Sequence, residues 1–266
     1  MRLVIVALTL TAFASAVHAE LPAPPLNEIA PTGKLRVGVA VGPAASPFWA
    51  IKDASGKPRG ATLDLGTAIA KALGVPAEFV VYANSGEVTN AGPKGEWDVA
   101  FMPVDTERKK LVDFGAAYAQ IESTYLARPG SGIETLEQVD RAGVRVGGVA
   151  GTTTIRSSER TLTNAKPVAY RTVDEMVALM KAGDLDAIAL SRDSLGSLVR
   201  QVPGSRIVTG HFHATFIAVA VPKNHPAALA YVTAVIEQAK ADGSVRRALD
   251  AAGLAKAVVA PAGARP

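Results

Sequence analysis

The feature that most constrains the fold of this chain is a repeated alternation between short β-branched segments and longer segments with helical spacing. The short segments are typical of buried strands and cover residues 35–40, 78–82, 99–102, 144–149, 187–190 and 217–221. The longer segments cover residues 63–73, 106–112, 153–164, 173–182 and 227–241. Strands that alternate with helices form parallel sheets through right-handed crossovers. The chain is therefore predicted to be an α/β protein.

A weak internal repeat indicates two similar halves. Residues 34–40 (KLRVGVA) resemble residues 143–150 (GVRVGGVA), and residues 95–101 (GEWDVAF) resemble residues 183–189 (GDLDAIA). Any α/β chain can produce such matches by chance, so one large domain is the alternative. The repeat favours two lobes, and two lobes have a cleft between them. Asp98 and Asp186 follow the glycine turns in the two copies, where we expect them to hold the loops in shape.

The first residues predict export. Arg2 precedes a nearly continuous apolar run, and Val17-His18-Ala19 has small residues where a signal peptidase cleaves. The run is shorter than the roughly 20 residues that a membrane-spanning helix needs. We therefore expect residues 1–19 to be a signal peptide and the mature protein to reside in a Gram-negative periplasm. The chain has no cysteine, which excludes disulfides, thiolate metal sites and a thiol nucleophile.

The charge and the short motifs exclude several classes of function. The chain has 28 basic and 24 acidic residues, and removal of Arg2 with the signal peptide leaves a net charge of +3. Because these charges are dispersed, we expect no nucleic-acid partner. The sequence shows no nucleophile elbow, metal-ligand spacing, phosphate loop or dinucleotide fingerprint. No catalytic residue, metal or cofactor is therefore assigned, and His211 and His213 are interpreted as surface residues.

Polar residues follow four predicted strands, where parallel sheets bind their ligands. The candidates are Asn84, Asp105, Arg108, Thr152, Thr153, Ser191 and Arg192. The planar guanidinium of Arg108 could hold a carboxylate through two hydrogen bonds. Thr152 and Thr153 open a helix whose free N–H groups favour an anion. The alternatives are a surface ion pair for Arg108 and a simple helix cap for the threonines.

The stretch from residue 33 to residue 253 resembles extracellular solute-binding protein family 3, the amino-acid-type binding proteins of ABC importers. The matching motifs are GKLRVGV (33–39), SPF (46–48), WD (97–98), TERK (106–109), VDF (112–114), GTT (151–153) and VPK (221–223). The resemblance implies a type II periplasmic-binding-protein-like fold, in which two strands near residues 117–123 and 213–218 join two α/β lobes around a ligand cleft. Lobe 1 would comprise residues 33–117 and 218–256, and lobe 2 residues 123–213. We expect residues 257–266 to form a flexible tail.

The resemblance also assigns roles to site residues. Arg108 corresponds to the arginine that holds the ligand's α-carboxylate, and Thr153 to a threonine that assists it. Phe48 and Trp49 either wall the ligand or fill the core of lobe 1. Family members often place an aspartate, which pairs with the ligand's ammonium, where this chain has Ser191. Burying an ammonium without such a partner costs several kcal/mol. An organic acid is therefore favoured over an amino acid, unless Asp105 or Glu87 substitutes.

These arguments predict a monomeric substrate-binding component of an ABC importer. It would close on a small carboxylate-bearing solute and deliver it to an ABC permease in the inner membrane. One alternative is a periplasmic enzyme on the same fold, such as a cyclohexadienyl or arogenate dehydratase-like lyase. Another is a ligand-sensing domain that docks on a receptor.

Overall fold

A computed structural model describes residues 21–41, 46–53 and 55–265. The predicted signal peptide lies outside the described residues. The strands are β1 (Leu35–Ala40), β2 (Ile51–Lys52), β3 (Pro58–Arg59), β4 (Ala77–Tyr82), β5 (Val99–Pro103), β6 (Val112–Ala127), β7 (Val146–Val149), β8 (Val168–Tyr170), β9 (Ala187–Ser191), β10 (Arg206–Ile207), β11 (His213–Pro222) and β12 (Val258–Val259). The α-helices are α1 (Leu26–Ile29), α2 (Ala61–Leu73), α3 (Ser85–Ala91), α4 (Thr106–Lys109), α5 (Leu136–Val139), α6 (Thr153–Thr161), α7 (Val173–Ala182), α8 (Arg192–Gln201), α9 (Pro226–Ala241) and α10 (Ser244–Ala251). No helix among these residues has both the length and the apolar character needed to cross a bilayer.

The two lobes share one sheet, whose main path runs β4-β1-β5-β11-β6-β9-β7-β8. In lobe 1, β1 is parallel to β4 and β5; in lobe 2, β7 is parallel to β8 and β9. The long strands β6 and β11 are antiparallel to each other and join the lobes, since β11 also pairs with β5 and β6 with β9. The predicted parallel sheets therefore occur within each lobe, and the joints are antiparallel. The predicted fold class is confirmed.

Each lobe has its own apolar core. In lobe 1, α2 and α9 pack on the sheet and bury Val37, Ile69 and Val232. In lobe 2, α7 and α8 bury Met176 and Leu195 against the other half of the sheet. The helical spacing of apolar residues in 173–182 thus marks the face that packs on the sheet. Separate cores are consistent with two lobes, while their boundaries along the chain stay a prediction.

The end of the chain differs from the expected flexible tail. Val258 and Val259 pair with β6, and the N–H of Ala260 donates to the carbonyl of Tyr118 at 3.0 Å. Further on, the carbonyl of Ala264 accepts from the N–H of Ala117 at 3.0 Å. Ala260 is 2% exposed. The segment is held because the backbone groups of β6 require hydrogen-bond partners, which a composition rich in Pro, Gly and Ala does not reveal.

The two copies of the internal repeat form the same arginine–aspartate contact, one in each lobe. In lobe 1, Arg36 at the start of β1 donates to the Asp98 carboxylate from Nε at 3.1 Å and from Nη2 at 2.6 Å. In lobe 2, Arg145 beside β7 donates to Asp186 from Nε at 2.8 Å and from Nη2 at 2.9 Å. The backbone N–H of each arginine donates to the same carboxylate. The two aspartates hold the loops that precede β5 and β9, as the sequence predicts.

Replacement of Asp186 by asparagine should destabilise the protein near neutral pH. Hydrogen bonds from Arg145, assisted by Arg128, lower the pKa of Asp186 to about 2 despite its partial burial. A folded-state pKa below the unfolded value stabilises the fold at higher pH, and this stabilisation is lost as the pH falls from about 4 to about 2. We expect Asp186→Asn to lose about 2 kcal/mol of unfolding free energy at pH 7. The difference from wild type should shrink in acid, which denaturant titrations at several pH values would measure.

The neighbouring Asp184 provides a matched control. Its side chain is 67% exposed and lies 3.7 Å from Arg145, which makes it a weakly coupled surface partner. Asp184→Asn removes the same charge and should change the unfolding free energy by less than about 0.5 kcal/mol. Equal effects of the two substitutions would show that Asp186 has no special structural role.

Candidate functional site

A cavity of about 140 Å³ lies between the lobes, at the carboxyl ends of the strands. Its apolar walls come from Ala40, Trp49, Ala83, Pro103, Ile121, Val149, Val173 and Leu190. Its polar lining comes from Asn84, Ser85, Thr152, Thr153, Thr154, Arg171, Thr172, Ser191 and Ser194. None of the described lining residues is an aspartate, a glutamate or a histidine.

Several helices begin at this cavity. Thr152 caps α6 by accepting the N–H of Ile155, and Thr172 caps α7 by accepting the N–H of Glu175. Ser191 is the residue before α8, and Asn84 caps the short α3. A helix N-terminus carries partial positive charge on its free N–H groups. The hydroxyls of Thr152, Thr153 and Ser191 donate to protein acceptors, so the backbone N–H groups of the helix starts are what make the cavity suited to an anion.

Arg108 lies behind the cavity wall and is 1% exposed. Its Nη1 donates to the carbonyl of Pro103 at 3.1 Å, and its Nη2 donates to Ser85 Oγ at 2.9 Å. Burial lowers the pKa of Arg108 to about 9, against the opposing effect of Asp105, so the side chain is charged at neutral pH. Arg108 does not line the cavity, and its terminal nitrogens bind protein acceptors. Pro103 and Ser85, which Arg108 touches, form part of the wall.

The carboxylate of Asp105 is hydrogen-bonded by groups from both lobes. It caps α4, with Oδ1 accepting the N–H of Arg108 at 2.9 Å, while Oδ2 lies 3.9 Å from Arg108 Nε. The same Oδ2 accepts from Thr153 Oγ1 at 2.6 Å and from Arg156, both in lobe 2. Burial alone would raise the pKa of Asp105, but the hydrogen bonds from Thr153, the Arg108 N–H and Arg156 outweigh it and lower the pKa.

The predicted meeting of Arg108 with the start of α6 therefore occurs in the structure, around a carboxylate supplied by the chain itself. Two further contacts join the lobes. The hydroxyl of Ser46 in lobe 1 donates to the carboxylate of Asp193, at the start of α8 in lobe 2. Burial raises the pKa of Asp193, and its hydrogen bonds oppose that rise. Gly86 of α3 also packs directly on the backbone of Gly151.

Four of the predicted ligand-binding residues line the cavity as polar groups: Asn84, Thr152, Thr153 and Ser191. Ser191 is buried and its hydroxyl donates to Ser194 Oγ at 3.0 Å. Of the two aromatic candidates, Trp49 lines the cavity. Phe48 is 1% exposed and stacks on Tyr118 with ring centroids 5.9 Å apart, so it fills the lobe 1 core and does not line the wall.

Arg192 points away from the cavity. Its Nε donates to Glu122 at 2.9 Å and its Nη2 to the carbonyl of Gly210 at 2.6 Å. Glu122 lies on β6, and its other carboxylate oxygen is 3.3 Å from His211 Nδ1. The expected role of Arg192 at the ligand is therefore replaced by a contact near the joint between the lobes. Within the described ranges, no three histidine or acidic side chains are grouped as metal ligands would be.

The structure adds residues that the sequence did not assign to the site. Arg171 and Thr172 follow β8, a three-residue strand that no apolar run predicts. Ser85 and Ser194 complete the hydroxyl lining. Arg156 reaches Asp105 from α6. Helical spacing could have identified Arg156 from the sequence, because it lies three residues after Thr153 and therefore on the same helix face.

Comparisons with known proteins agree with this fold. Residues 36–251 match the family described as bacterial extracellular solute-binding proteins, family 3. The ABC transporter glutamine-binding protein GlnH of Bacillus subtilis is 26% identical over 145 residues, which are 54% of this chain and 53% of that protein. The chain thus spans about half the length of that curated relative.

Two solved structures are matched by this chain over nearly their whole length. An ancestral arginine-binding protein bound to glutamine has a TM-score of 0.72 and 29% identity, over 84% of this chain and 98% of that chain. An ancestral amino-acid-binding protein, described as a precursor of cyclohexadienyl dehydratase, has a TM-score of 0.72 and 28% identity, over 85% and 98%. With the family match over residues 36–251, these likenesses show that the chain belongs to family 3 of the bacterial extracellular solute-binding proteins.

Proposed function

We propose that this chain is the periplasmic substrate-binding component of an ABC importer, and that it closes on a small carboxylate-bearing solute for delivery to an inner-membrane permease. The interlobe cavity carries the proposal, because helix N-termini and hydroxyls line it and no described lining residue is acidic. Relatives named for glutamine and arginine binding support a solute with a carboxylate.

An organic acid fits the lining better than an α-amino acid. The ammonium of an amino acid would need a carboxylate partner, and the nearby acids are engaged elsewhere. Asp105 accepts from Thr153 and Arg156, and Asp193 accepts from Ser46. Glu87 accepts the N–H of Ala83 at 3.0 Å and lies outside the wall. An amino-acid-like solute would have to displace one of these contacts.

Ser85 and the start of α6 are the groups that we assign to the solute's carboxylate. Arg108 donates to Ser85 Oγ, which leaves the Ser85 hydroxyl hydrogen for an acceptor in the cavity. Thr152 and Thr153 present the N-terminus of α6 from the other lobe. In this arrangement Arg108 acts through Ser85 and through its positive charge, while Trp49 supplies part of the apolar wall.

Closure would depend on contacts that only the closed form makes. The solute bridges the lobes. The contacts of Asp105 with lobe 2 and of Ser46 with Asp193 further stabilise the closed form. The strands β6 and β11 join the lobes and are the natural hinge. A solute that binds the closed form better shifts the population toward it.

A lyase in the same cleft is the alternative function, since one structural neighbour is described as a precursor of a dehydratase. That neighbour is itself named as an amino-acid-binding protein. Dehydration needs a general acid beside the leaving group. The lining described above supplies hydroxyls and one arginine, which favours binding without turnover.

A thermal-shift screen of amino acids, aliphatic diacids, monoacids and aromatic acids on the mature protein tests this function. A solute that binds only the folded state raises the melting temperature, and the shift grows with the logarithm of its concentration over Kd. We expect organic acids to give the larger shifts and to be recovered unchanged after incubation. Large shifts confined to common α-amino acids would contradict the preference for organic acids, and conversion of a hit to product would establish the lyase.

A further inference from the structure

Among the described residues that line the cavity, Arg171 is the one with a charged side chain. It immediately follows β8, whose last residue, Tyr170, accepts the N–H of Ala150 at 2.8 Å. That bond ties the end of β8 to the loop before Gly151, so the Arg171 backbone is anchored beside the start of α6. Two residues later α7 begins, with Thr172 as its cap.

The guanidinium of Arg171 has no hydrogen bond or ion pair with any other residue in the described parts of the chain. The adjacent acid, Glu175, is used locally, because its carboxylate accepts the backbone N–H of Arg171 at 3.2 Å. The other arginines near the cleft differ: Arg156 pairs with Asp105 and Arg192 with Glu122. Arg171 is thus a cation at a donor-rich cavity whose partner is not supplied by the fold.

Two separate groups of donors therefore reach the cavity. One consists of Ser85 and the start of α6, with Arg108 behind Ser85. The other consists of Arg171 and the start of α7, contributed by the β8–α7 turn. Apolar side chains, among them Val149 and Leu190, form the rest of the wall. A solute with one carboxylate would satisfy the first group and leave the second without an acceptor.

We propose that Arg171 determines specificity by binding a second anionic group, so that the preferred solute is a small diacid with an apolar carbon chain or ring between its two acidic groups. This inference rests on the proposed function and names the class of solute. A planar guanidinium suits a carboxylate, which it can bind through two parallel N–H donors. Because Arg171 is exposed, salt should weaken its contribution.

Isothermal titration of wild type and Arg171→Gln with matched acids tests the proposal. The probes are succinate with butyrate, glutarate with pentanoate, and terephthalate with 4-methylbenzoate, in which each monoacid keeps the carbon skeleton and has a methyl group in place of one carboxylate. Arg200→Gln is the matched control, since Arg200 is an exposed arginine near the end of α8 whose side chain donates to the carbonyl of Gly196 in the same helix.

We expect wild type to bind at least one diacid roughly tenfold or more tightly than its monoacid, in the range for a single charged contact. Arg171→Gln should remove that preference and change monoacid binding by less than about twofold, whereas Arg200→Gln should keep it. Raising the salt concentration should reduce the preference of wild type for the diacid over the monoacid. It should leave the ratio of the two affinities unchanged in Arg171→Gln.

The results also separate the two proposals. A wild type that binds a monoacid as tightly as its diacid, or an Arg171→Gln variant that keeps the diacid preference, would overturn the role of Arg171 while leaving the proposed function in place. Equal weakening of both acids in Arg171→Gln would show a structural role only. A wild type that binds none of the acids would overturn the carboxylate-binding function and this inference with it.

Discussion

Replacing Arg108 by alanine is expected to destabilise the protein by about 3 to 5 kcal/mol and to weaken solute binding by about 2 kcal/mol or more. The side chain is buried, and its removal leaves the carbonyl of Pro103 without its donor at 3.1 Å. It also takes away a positive charge next to Asp105 and the donor to Ser85 Oγ. Urea denaturation measures the first effect, and calorimetry with an acid identified in the thermal-shift screen measures the second.

Arg160→Ala is the matched control for Arg108→Ala. Arg160 is an exposed arginine of α6 that donates to Ser157 Oγ at 2.9 Å. Its loss removes the same charge at the surface and should cost less than about 0.5 kcal/mol. If Arg108→Ala unfolded at the wild-type urea concentration and bound the solute normally, the buried guanidinium would have neither role.

Replacing Gly86 by alanine is expected to hold the lobes apart with little effect on the stability of either one. A Cβ at Gly86 would lie 2.9 Å from the carbonyl oxygen of Gly151 and 3.0 Å from its carbonyl carbon, both in the other lobe. Backbone atoms cannot swing aside as a side chain does, so the lobes must separate to relieve the contact. Within lobe 1 the Cβ would also lie 3.0 Å from Oδ1 of Asn84, the cap of α3, and this crowding opposes the preference of a helix for alanine of roughly 0.5 to 1 kcal/mol.

The Gly86→Ala variant should therefore have a larger radius of gyration in solution scattering and a Kd roughly tenfold or more above wild type, because the closed population falls. Its unfolding free energy should change by less than about 1 kcal/mol. Gly196→Ala, at a position of α8 where the added Cβ meets no other group of the described residues within 4 Å outside the adjacent helix backbone, should change neither size nor affinity. Gly86→Ala with wild-type affinity and size would show that the Gly86–Gly151 contact does not limit closure.

Elements with local signals were predicted well from the sequence. Helix α7 begins and ends where predicted, because Thr172 caps its start, Gly183 ends it in a left-handed conformation, and the apolar spacing marks its buried face. Strand β1 was also predicted in full. In contrast, the apolar pattern did not predict β6, of which only residues 117–123 were expected, from the family resemblance. Polar residues such as Gln120 and Glu122 interrupt its apolar pattern, and its pairing with β9, β11 and β12 comes from distant parts of the chain.

The candidate site was predicted in outline. The rule that ligands bind at the carboxyl ends of strands correctly placed Asn84, Thr152, Thr153 and Ser191 at one cavity. The same rule missed Arg171, because the three residues of β8 form a strand only through pairing with β7. It also could not tell that Arg192 turns to Glu122, which lies 70 residues earlier in the sequence.

The sequence by itself determined the family, the alternation of strands and helices, and the loop-holding aspartates of the internal repeat. These depend on local spacing, caps and charges that repeat along the chain. Only the tertiary structure decided that Asp105 is the carboxylate between the lobes, that Arg108 lies behind the wall and that Arg171 lies on it. The direction of a side chain at the end of a strand depends on which distant groups compete for its hydrogen bonds, and the fold alone brings those groups together.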